Sequence, residues 1–274
     1  MLNLDADAIR QSLDAHVGNR LAGFEVFAEI ESTNSYLMQQ EAPAAGEVRV
    51  ALTDNQTMGR GRHGRTWQSP PGSGLCLSLA YTFARQPTAL PALTLALGLG
   101  AIDALESLDI KGVQLKWPND LVADDGKLGG ILTETQSQRS AAITVVTGIG
   151  INVDLGDDPD IEVETDWAKR VSDLARFAHK VPSRETLAAR LVDRLGATII
   201  EYETGGFERF IQKWPGRDWL LGRELTIATA QRQVTGIGAG VDGDGALLVD
   251  SDVGDRSRIT SGSVVAAGER GAIA

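Results

Sequence analysis

The pattern of apolar and polar positions divides the chain into two parts. Up to about residue 220, alternating apolar runs of the kind that form strands are interspersed with longer helical patterns. The predicted helices cover residues 5–16, 31–40, 89–108 and 183–203. The predicted strands cover residues 24–30, 47–53, 74–83, 113–123, 128–136 and 141–153. Since helices and strands do not alternate strictly, we expect an α+β domain with a mixed sheet rather than a doubly wound fold.

Capping and turn signals mark several of these ends. Ser32, Thr33 or Asn34 can cap the second helix, and paired glycines at 205 and 206 should end the last one. The helix over 89–108 is apolar on most faces, so we expect it to be buried. A tight Asp-Asp-Gly turn at 124–126 joins two strands, and a short aromatic helix over 207–214 should end at the following proline.

After residue 220 the pattern changes to short alternating segments separated by glycine and aspartate turns. Four strands are predicted, with sequences RELTIATA, RQVTGIGAGV, ALLVDSD and SGSVVAAG. This pattern favours a small β-barrel. We therefore expect a first domain over residues 1–220 and a second over 221–274.

Charge and cysteine content narrow the function. The net charge of −11 argues against a general nucleic-acid binder, because phosphate neutralisation needs a basic face. Residues 55–102 nevertheless contain no Asp or Glu, and they carry Arg60, Arg62 and Arg65, which indicates a small anionic ligand. The single cysteine, Cys76, lies in an alternating apolar run and is expected in the core. No signal peptide or membrane-spanning stretch is visible, so a reducing, cytoplasmic location without a membrane partner is predicted.

The first candidate site is the segment QTMGRGRHGRTW over residues 56–67. GRGRHG matches the dinucleotide-binding pattern G-x-G-x-x-G, but that motif must open a helix, and the RTWQSPPGSG that follows excludes one. Three guanidinium groups in a glycine-rich loop repel one another until an anion binds. The segment therefore favours a loop that becomes ordered around a phosphate or carboxylate, with a solvated basic loop as the alternative.

Two further segments carry polar groups at the ends of strands. KWPND at 116–120 places a lysine, an amide and a carboxylate beside Pro118, and Lys127 follows the tight turn, which lets it point across the strands. KLGGIL, which begins at Lys127, leads on to Glu134. In GIGIN at 148–152, a buried strand ends in glycines that permit close approach of a ligand, followed by the amide of Asn152.

Taken together, ESTN, QTMGRGRHGRTW, KWPNDL with KLGGIL, and GIGIN resemble the biotin–protein ligase family, strongly over residues 24–153 and more loosely in the second domain. The resemblance implies a catalytic domain related to class II aminoacyl-tRNA synthetases and an SH3-like barrel. It also implies the activity: activation of biotin by ATP to biotinyl-5′-AMP, then transfer to a lysine. The implied acceptor is a biotin carboxyl carrier domain of acetyl-CoA carboxylase or a related carboxylase, with ATP and Mg²⁺ as cofactors.

The resemblance also implies roles for individual residues. Those implied to bind biotin are Ser32, Thr33, Asn34, Gln56, Arg60, Gly61, Arg62, Trp67 and Lys127. Those implied to bind ATP are Arg65, Lys116, Asn119 and Asn152. Catalytic roles fall to Lys127, Arg60, Arg62 and Asp120. Asp120 is a candidate for the Mg²⁺ shell or for receiving the proton of the acceptor lysine.

Three alternatives remain at this stage. A lipoate or octanoate ligase or transferase shares the fold, and a biotin-sensing protein would keep the pocket without the chemistry. A nucleic-acid-binding function for the basic loop is the third. About two dozen residues precede Phe24, too few for a helix-turn-helix, so the expected form lacks the DNA-binding domain of some family members and binds no operator DNA.

Overall fold

A seven-stranded mixed sheet forms the framework of the first part of the chain. The computed structural model describes residues 4–68, 70–136, 142–156, 167 and 171–270. The strands are β1 (Leu21–Phe27), β2 (Val48–Thr53), β3 (Gly74–Phe83), β4 (Gln114–Lys116), β5 (Asp120–Ala123), β6 (Gly126–Gln136) and β7 (Ile143–Asn152). Their order is β1-β2-β3-β7-β6-β5-β4, with β1 and β2 parallel and all other neighbours antiparallel. The prediction of a mixed sheet is confirmed.

The helices cover both faces of this sheet. They are α1 (Ala6–Gln11), α2 (Ala15–Gly18), α3 (Thr33–Gln39), α4 (Leu93–Glu106), α5 (Leu174–Phe177) and α6 (Arg184–Gly205). On β2, Val50 and Leu52 belong to the main core, whereas Ala51 packs with Leu37 of α3. Successive side chains of a strand point to opposite faces, so α3 lies on the face of the sheet opposite to the main core.

Local signals explain where the helices begin and end. The side chain of Ser32 caps α3 by accepting from the backbone N–H of Ser35, and Ser183 caps α6 in the same way. Gly206 ends α6 with a φ of +58°, a conformation that glycine adopts without strain. Helix α4 is buried along most of its length, as its apolar composition predicts.

Three predicted elements differ from the structure. The helix expected over 5–16 is interrupted, because Asp14 leaves the helical path and its N–H donates to Asp193 of α6 (2.9 Å). The strand expected over 113–123 is two strands, β4 and β5, which form a tight hairpin around Trp117 and Pro118, because proline cannot donate to a sheet ladder. The aromatic helix expected over 207–214 consists of two short 3₁₀ turns.

The second part of the chain is a five-stranded antiparallel sheet, in agreement with the predicted class. Its strands are β8 (Arg223–Ala228), β9 (Gln233–Val241), β10 (Leu247–Asp250), β11 (Arg256–Ile259) and β12 (Ser263–Arg270), in the order β11-β10-β9-β8-β12. Strand β11 was not predicted because its sequence, RSRI, carries two arginines and little apolar alternation. The domain boundary at residue 221 stays a prediction.

The two sheets are joined beside the β4–β5 hairpin. The indole Nε1–H of Trp117, which is buried, donates to the carbonyl of Gly245 in the second sheet (3.0 Å). Backbone hydrogen bonds link Leu115 of β4 to Arg217 (2.7 Å) and to Trp219 (2.9 Å), just before β8. The second sheet therefore supports the segment that carries the KWPND residues.

Replacing Trp117 by Phe should lower the free energy of unfolding by about 1–2 kcal/mol, because the carbonyl of Gly245 would lose its donor in a buried place. Urea unfolding monitored by circular dichroism measures this. Trp219→Phe is the matched comparison: its acceptor, Asp125, is 70% exposed and can bond to water instead. An equal or larger loss for Trp219→Phe would contradict the assignment.

Candidate active site

A single cleft brings together all fourteen residues that the sequence analysis singled out as binding or catalytic. It encloses about 1250 Å³ of space, part of it open to solvent. The glycine/arginine loop, the β4–β5 hairpin, the start of β6 and the end of β7 all contribute to it. Residues far apart in the chain, from Ser32 to Asn152, thus form one site.

Hydroxyl and amide groups at the start of α3 form a polar wall of the cleft. The backbone N–H of Thr33 donates to Gln56 Oε1 (2.8 Å), and Thr33 Oγ1 lies 3.1 Å from the same oxygen. Ser78 Oγ lies 2.7 Å from Thr33 Oγ1 and 2.6 Å from Asn34 Oδ1. Ser32, which caps α3, completes the wall. These groups offer hydrogen bonds to a small polar ring.

The glycine/arginine loop is a tight hairpin in this structure. Arg60 and Thr66 form an antiparallel bridge, and Gly61 N–H donates to the carbonyl of Arg65 (2.7 Å). The turn at its tip contains His63, with a φ of +56°, and no α-helix follows among the described residues before β3. Rejection of the dinucleotide-binding motif is therefore confirmed.

The arginines of this loop reach different parts of the cleft. Arg60 forms an ion pair with Glu134 on β6, and Arg62 Nη1 donates to Asn119 Oδ1 (3.4 Å). Burial lowers the pKa of the Arg62 guanidinium, which the nearby carboxylate of Asp120 partly offsets. Arg65 also lines the cleft. The loop thus places three guanidinium groups around one space.

A buried carboxylate holds two lysines at the centre of the site. Asp120 Oδ2 lies 3.1 Å from Lys116 Nζ, and Asp120 Oδ1 lies 3.0 Å from Lys127 Nζ. The side chains of Lys116 and Asp120 are 4% and 7% exposed, whereas that of Lys127 is 20% exposed. Trp167 Nε1–H donates a further hydrogen bond to Asp120 Oδ2 (3.1 Å). Of the two ammonium groups, that of Lys127 is the more accessible to a ligand.

The pKa shifts follow from this arrangement. Burial by itself would raise the pKa of Asp120, but the charges of Lys116 and Lys127 outweigh it and hold that pKa well below the usual carboxyl value. Burial lowers the pKa of Lys116, against the opposing charge of Asp120. A carboxylate with a lowered pKa is a weak proton acceptor, so this geometry favours a positioning role for Asp120 over the predicted role as a base.

Glycines allow the aromatic and amide side chains to approach β7. A Cβ on Gly150 would clash with the ring of Trp67, and one on Gly148 would clash with Asn34 Oδ1. At the end of the same strand, the amide of Asn152 donates to the carbonyls of Ser172 (3.0 Å) and Lys127 (3.3 Å). The resemblance implies that the Asn152 amide binds ATP. In this structure the amide N–H groups instead donate to the backbone around Lys127.

Side chains that could bind a metal ion are few among the described residues of the cleft. Within the described ranges, no group of three or more His, Cys, Asp or Glu side chains is placed to hold a metal ion. Asp120, implied for the Mg²⁺ shell, faces two ammonium groups and an indole N–H, which does not suit a direct metal ligand.

Several cleft residues were not predicted as site residues. Trp167 contacts both Asp120 and Lys116, whose Nζ lies 4.7 Å from the centroid of its ring. Ser263 and Val264 come from β12 of the second sheet, more than ninety residues beyond the other residues of the cleft. No local sequence pattern distinguishes these residues, because only the fold brings them to the cleft.

Comparisons with known proteins agree with this architecture. A family model described as "Biotin/lipoate A/B protein ligase family" matches residues 26–152, and one described as "Biotin protein ligase C terminal domain" matches residues 220–266. The chain is 33% identical over 276 residues to the "Biotin--[acetyl-CoA-carboxylase] ligase" of Mycobacterium tuberculosis, an alignment that covers 95% of this chain and 98% of that protein. It is 34% identical over 252 residues to the "Bifunctional ligase/repressor BirA" of Salmonella typhimurium, over 91% and 74% of the two chains.

A solved structure extends the similarity to the fold. The structure described as "Biotin protein ligase from Aquifex aeolicus in complex with biotin and ATP" superposes with a TM-score of 0.71 at 28% identity, covering 89% of this chain and 97% of that one. The chain therefore belongs to the biotin–protein ligase family. The resemblance inferred from the motifs is confirmed, as is the α+β fold class.

Replacing Asp120 by Asn should lower the free energy of unfolding by about 3 kcal/mol, because Lys116 would remain buried without its counter-charge. Asp252→Asn, in an exposed turn of the second sheet, is the matched control and should be nearly neutral. Urea denaturation of both variants measures the difference. If both variants unfold at the same urea concentration as the unmodified protein, the lysines do not depend on this carboxylate.

Proposed function

We propose that this protein is a ligase that activates biotin with ATP to form biotinyl-5′-AMP and then transfers the biotinyl group to a lysine of a carrier protein. The observation that carries the proposal is one cleft that combines a wall of hydroxyls and amides with a cluster of lysine and arginine side chains. The wall suits a small polar ring, and the cations suit a carboxylate and phosphates. Membership of the ligase family supports the same activity.

Biotin occupies the part of the cleft between the start of α3 and β7. Its ureido ring, with two N–H donors and one carbonyl, faces Thr33, Asn34 and Gln56, while Trp67 covers the apolar chain. Gly150 has no side chain, which allows the ring of Trp67 to lie against β7. The carboxylate of biotin then lies towards Lys127, whose Nζ is 5.8 Å from the centroid of the Trp67 ring.

The first reaction requires attack by a carboxylate oxygen of biotin on the α-phosphorus of ATP. A new P–O bond forms, the bond to the β-phosphate oxygen breaks, and pyrophosphate leaves. Two anions approach each other in this step, so fixed positive charge lowers the barrier. We assign this role to Lys127, Arg60 and Arg62. Mg²⁺ bound to ATP would supply further positive charge in this step.

The second reaction is attack by the amine of an acceptor lysine on the acyl carbon of the mixed anhydride. An amide bond forms, AMP leaves with the electrons of the broken C–O bond, and the attacking amine loses one proton to solvent. Lysine is protonated at neutral pH unless its environment lowers its pKa. The two ammonium groups on Asp120 disfavour a further ammonium group nearby, which promotes the neutral form of the acceptor amine.

The acceptor we propose is a biotin carboxyl carrier domain of acetyl-CoA carboxylase or a related carboxylase. The relatives from Mycobacterium tuberculosis and Paracoccus denitrificans, both named as ligases of acetyl-CoA carboxylase, support this assignment. We place the reaction in the cytoplasm, where the buried thiol of Cys76 stays reduced. Among the described residues, no helix is both long and apolar enough to cross a membrane.

The direct test is incubation of the purified protein with biotin, Mg·ATP and a carrier domain. We expect AMP release that depends on biotin, and a carrier mass increased by one biotinyl group in mass spectrometry. Lipoic acid in place of biotin is the control for the related activity. A carrier that stays unmodified, or one that accepts lipoyl groups equally well, would contradict the proposal.

Replacing Lys127 by Ala should slow adenylate formation roughly 100-fold, the scale on which a fixed electrostatic contact stabilises a transition state. Asp120 keeps its contact with Lys116 in this variant, so the fold should persist. Lys111→Ala removes a lysine that is 74% exposed and serves as the control. Single-turnover release of pyrophosphate measures the rate. Equal rates for both variants would contradict a role for Lys127 in adenylate formation.

A further inference from the structure

Glu134 on β6 connects the glycine/arginine loop with the polar wall at the start of α3. One of its carboxylate oxygens forms the ion pair with Arg60 of the glycine/arginine loop. The other accepts a hydrogen bond from Asn34 Nδ2 at 3.0 Å. The side chain is 26% exposed, so these contacts are partly shielded from water. Glu134 therefore contacts both the basic loop and the polar wall.

The contact with Glu134 sets the orientation of the Asn34 amide. Its Nδ2 also donates to the carbonyl of Leu132 (3.2 Å), and its Oδ1 lies 2.6 Å from Ser78 Oγ. A rotation by 180° would turn the amide oxygen towards a carboxylate and a carbonyl, none of which can donate. Gly148 leaves the space that this orientation requires. The Asn34 amide thus presents only its oxygen to Ser78.

The number of hydroxyl protons then determines the direction of the remaining hydrogen bonds. The 2.6 Å contact with Asn34 Oδ1 needs the single hydroxyl proton of Ser78, because an amide oxygen can only accept. Thr33 Oγ1 lies 2.7 Å from Ser78 Oγ and 3.1 Å from Gln56 Oε1, so its own proton is used in one of these two contacts. Both hydroxyl protons are therefore committed within the protein.

This arrangement decides which ligand groups the wall can bind. Thr33 Oγ1 has no proton left to donate to a ligand and can only accept one. The ureido ring of biotin supplies N–H donors, whereas the dithiolane ring of lipoic acid has none. A buried acceptor that stays unpaired costs free energy, so such a wall discriminates between the two rings.

We propose that Glu134 is a positioning residue for biotin selectivity. Glu134 accepts a hydrogen bond from Asn34 and thereby fixes the direction of the hydrogen bonds among Asn34, Ser78 and Thr33. As a result, Thr33 Oγ1 faces the ligand as a hydrogen-bond acceptor. This inference rests on the proposed function, since it concerns how the same cleft selects its acid. Glu134 itself is not required to touch biotin.

Two substitutions at this position separate its two contacts. Glu134→Ala removes both, and the Michaelis constant for biotin should rise at least about tenfold, the factor expected when a partly buried hydrogen bond to a charged group is lost. The Michaelis constant for ATP should change less than about threefold. Glu134→Gln can still offer its amide oxygen to Asn34, but its amide NH2 then faces the Arg60 guanidinium, so this variant loses the contact with Arg60 and keeps the one with Asn34. It should therefore keep a Michaelis constant for biotin near that of the unmodified protein.

Ser78→Ala supplies an independent variant if Glu134→Ala does not fold. It removes the hydroxyl that links Asn34 to Thr33, so it should raise the Michaelis constant for biotin and leave that for ATP unchanged. Glu41→Ala, an exposed residue after α3, is the matched control. The enzyme assayed is the full chain, with release of pyrophosphate as the readout.

The outcomes distinguish this inference from the proposed function. An unmodified protein that cannot adenylate biotin would overturn the proposed function. An active protein in which Glu134→Ala and Ser78→Ala behave like Glu41→Ala would overturn only the inference. So would a Glu134→Gln variant as impaired as Glu134→Ala, because the ion pair with Arg60 would then carry the effect.

Discussion

The ion cluster of Asp120 with Lys116 and Lys127 is the interaction on which the rest of the site depends. Two lysines at the floor of a protein cleft repel each other and lose hydration, and a single carboxylate offsets both effects. The β4–β5 hairpin makes this possible, because Lys116 and Asp120 face each other across a turn of three residues. In this arrangement the charges of the two lysines lower the pKa of Asp120, which makes it a weak proton acceptor.

The hairpin in turn depends on the second sheet. Trp117 lies between the two charged residues, and its indole is anchored to the carbonyl of Gly245. Ser263 and Val264 of the same sheet reach the cleft. A small antiparallel sheet that contains none of the predicted catalytic residues therefore supports the charged centre and forms part of its wall.

The sequence predicts most of the strands and helices, and it also predicts which segments line the cleft. Both predictions succeed where they depend on local patterns of residues. The alternation of GLCLSLAYTF matches β3 from Gly74 to Phe83, because a buried strand needs little beyond its own apolar run. Glycine and proline signals locate the loop and the turn that bear the cations. These signals depend on a few neighbouring residues, so they can be recognised without the fold.

Features that depend on distant contacts could not be predicted in this way. The interruption after α1 depends on a hydrogen bond from Asp14 to Asp193, and β11 is a strand because β10 pairs with it. The implied roles of Asp120, in the Mg²⁺ shell or as proton acceptor, stay predictions, and the sequence does not show that two ammonium groups contact its oxygens. The sequence assigns no role to Glu134, because its partners Asn34 and Arg60 lie about a hundred and about seventy residues earlier in the chain.

The central claim is that this cleft joins biotin to the α-phosphate of ATP. Exchange of labelled pyrophosphate into ATP tests it most directly, because the reaction reports formation of the adenylate without any carrier protein. We expect exchange that requires biotin and is not supported by lipoic acid. Exchange that is absent with biotin, or equally fast with lipoic acid, would contradict it.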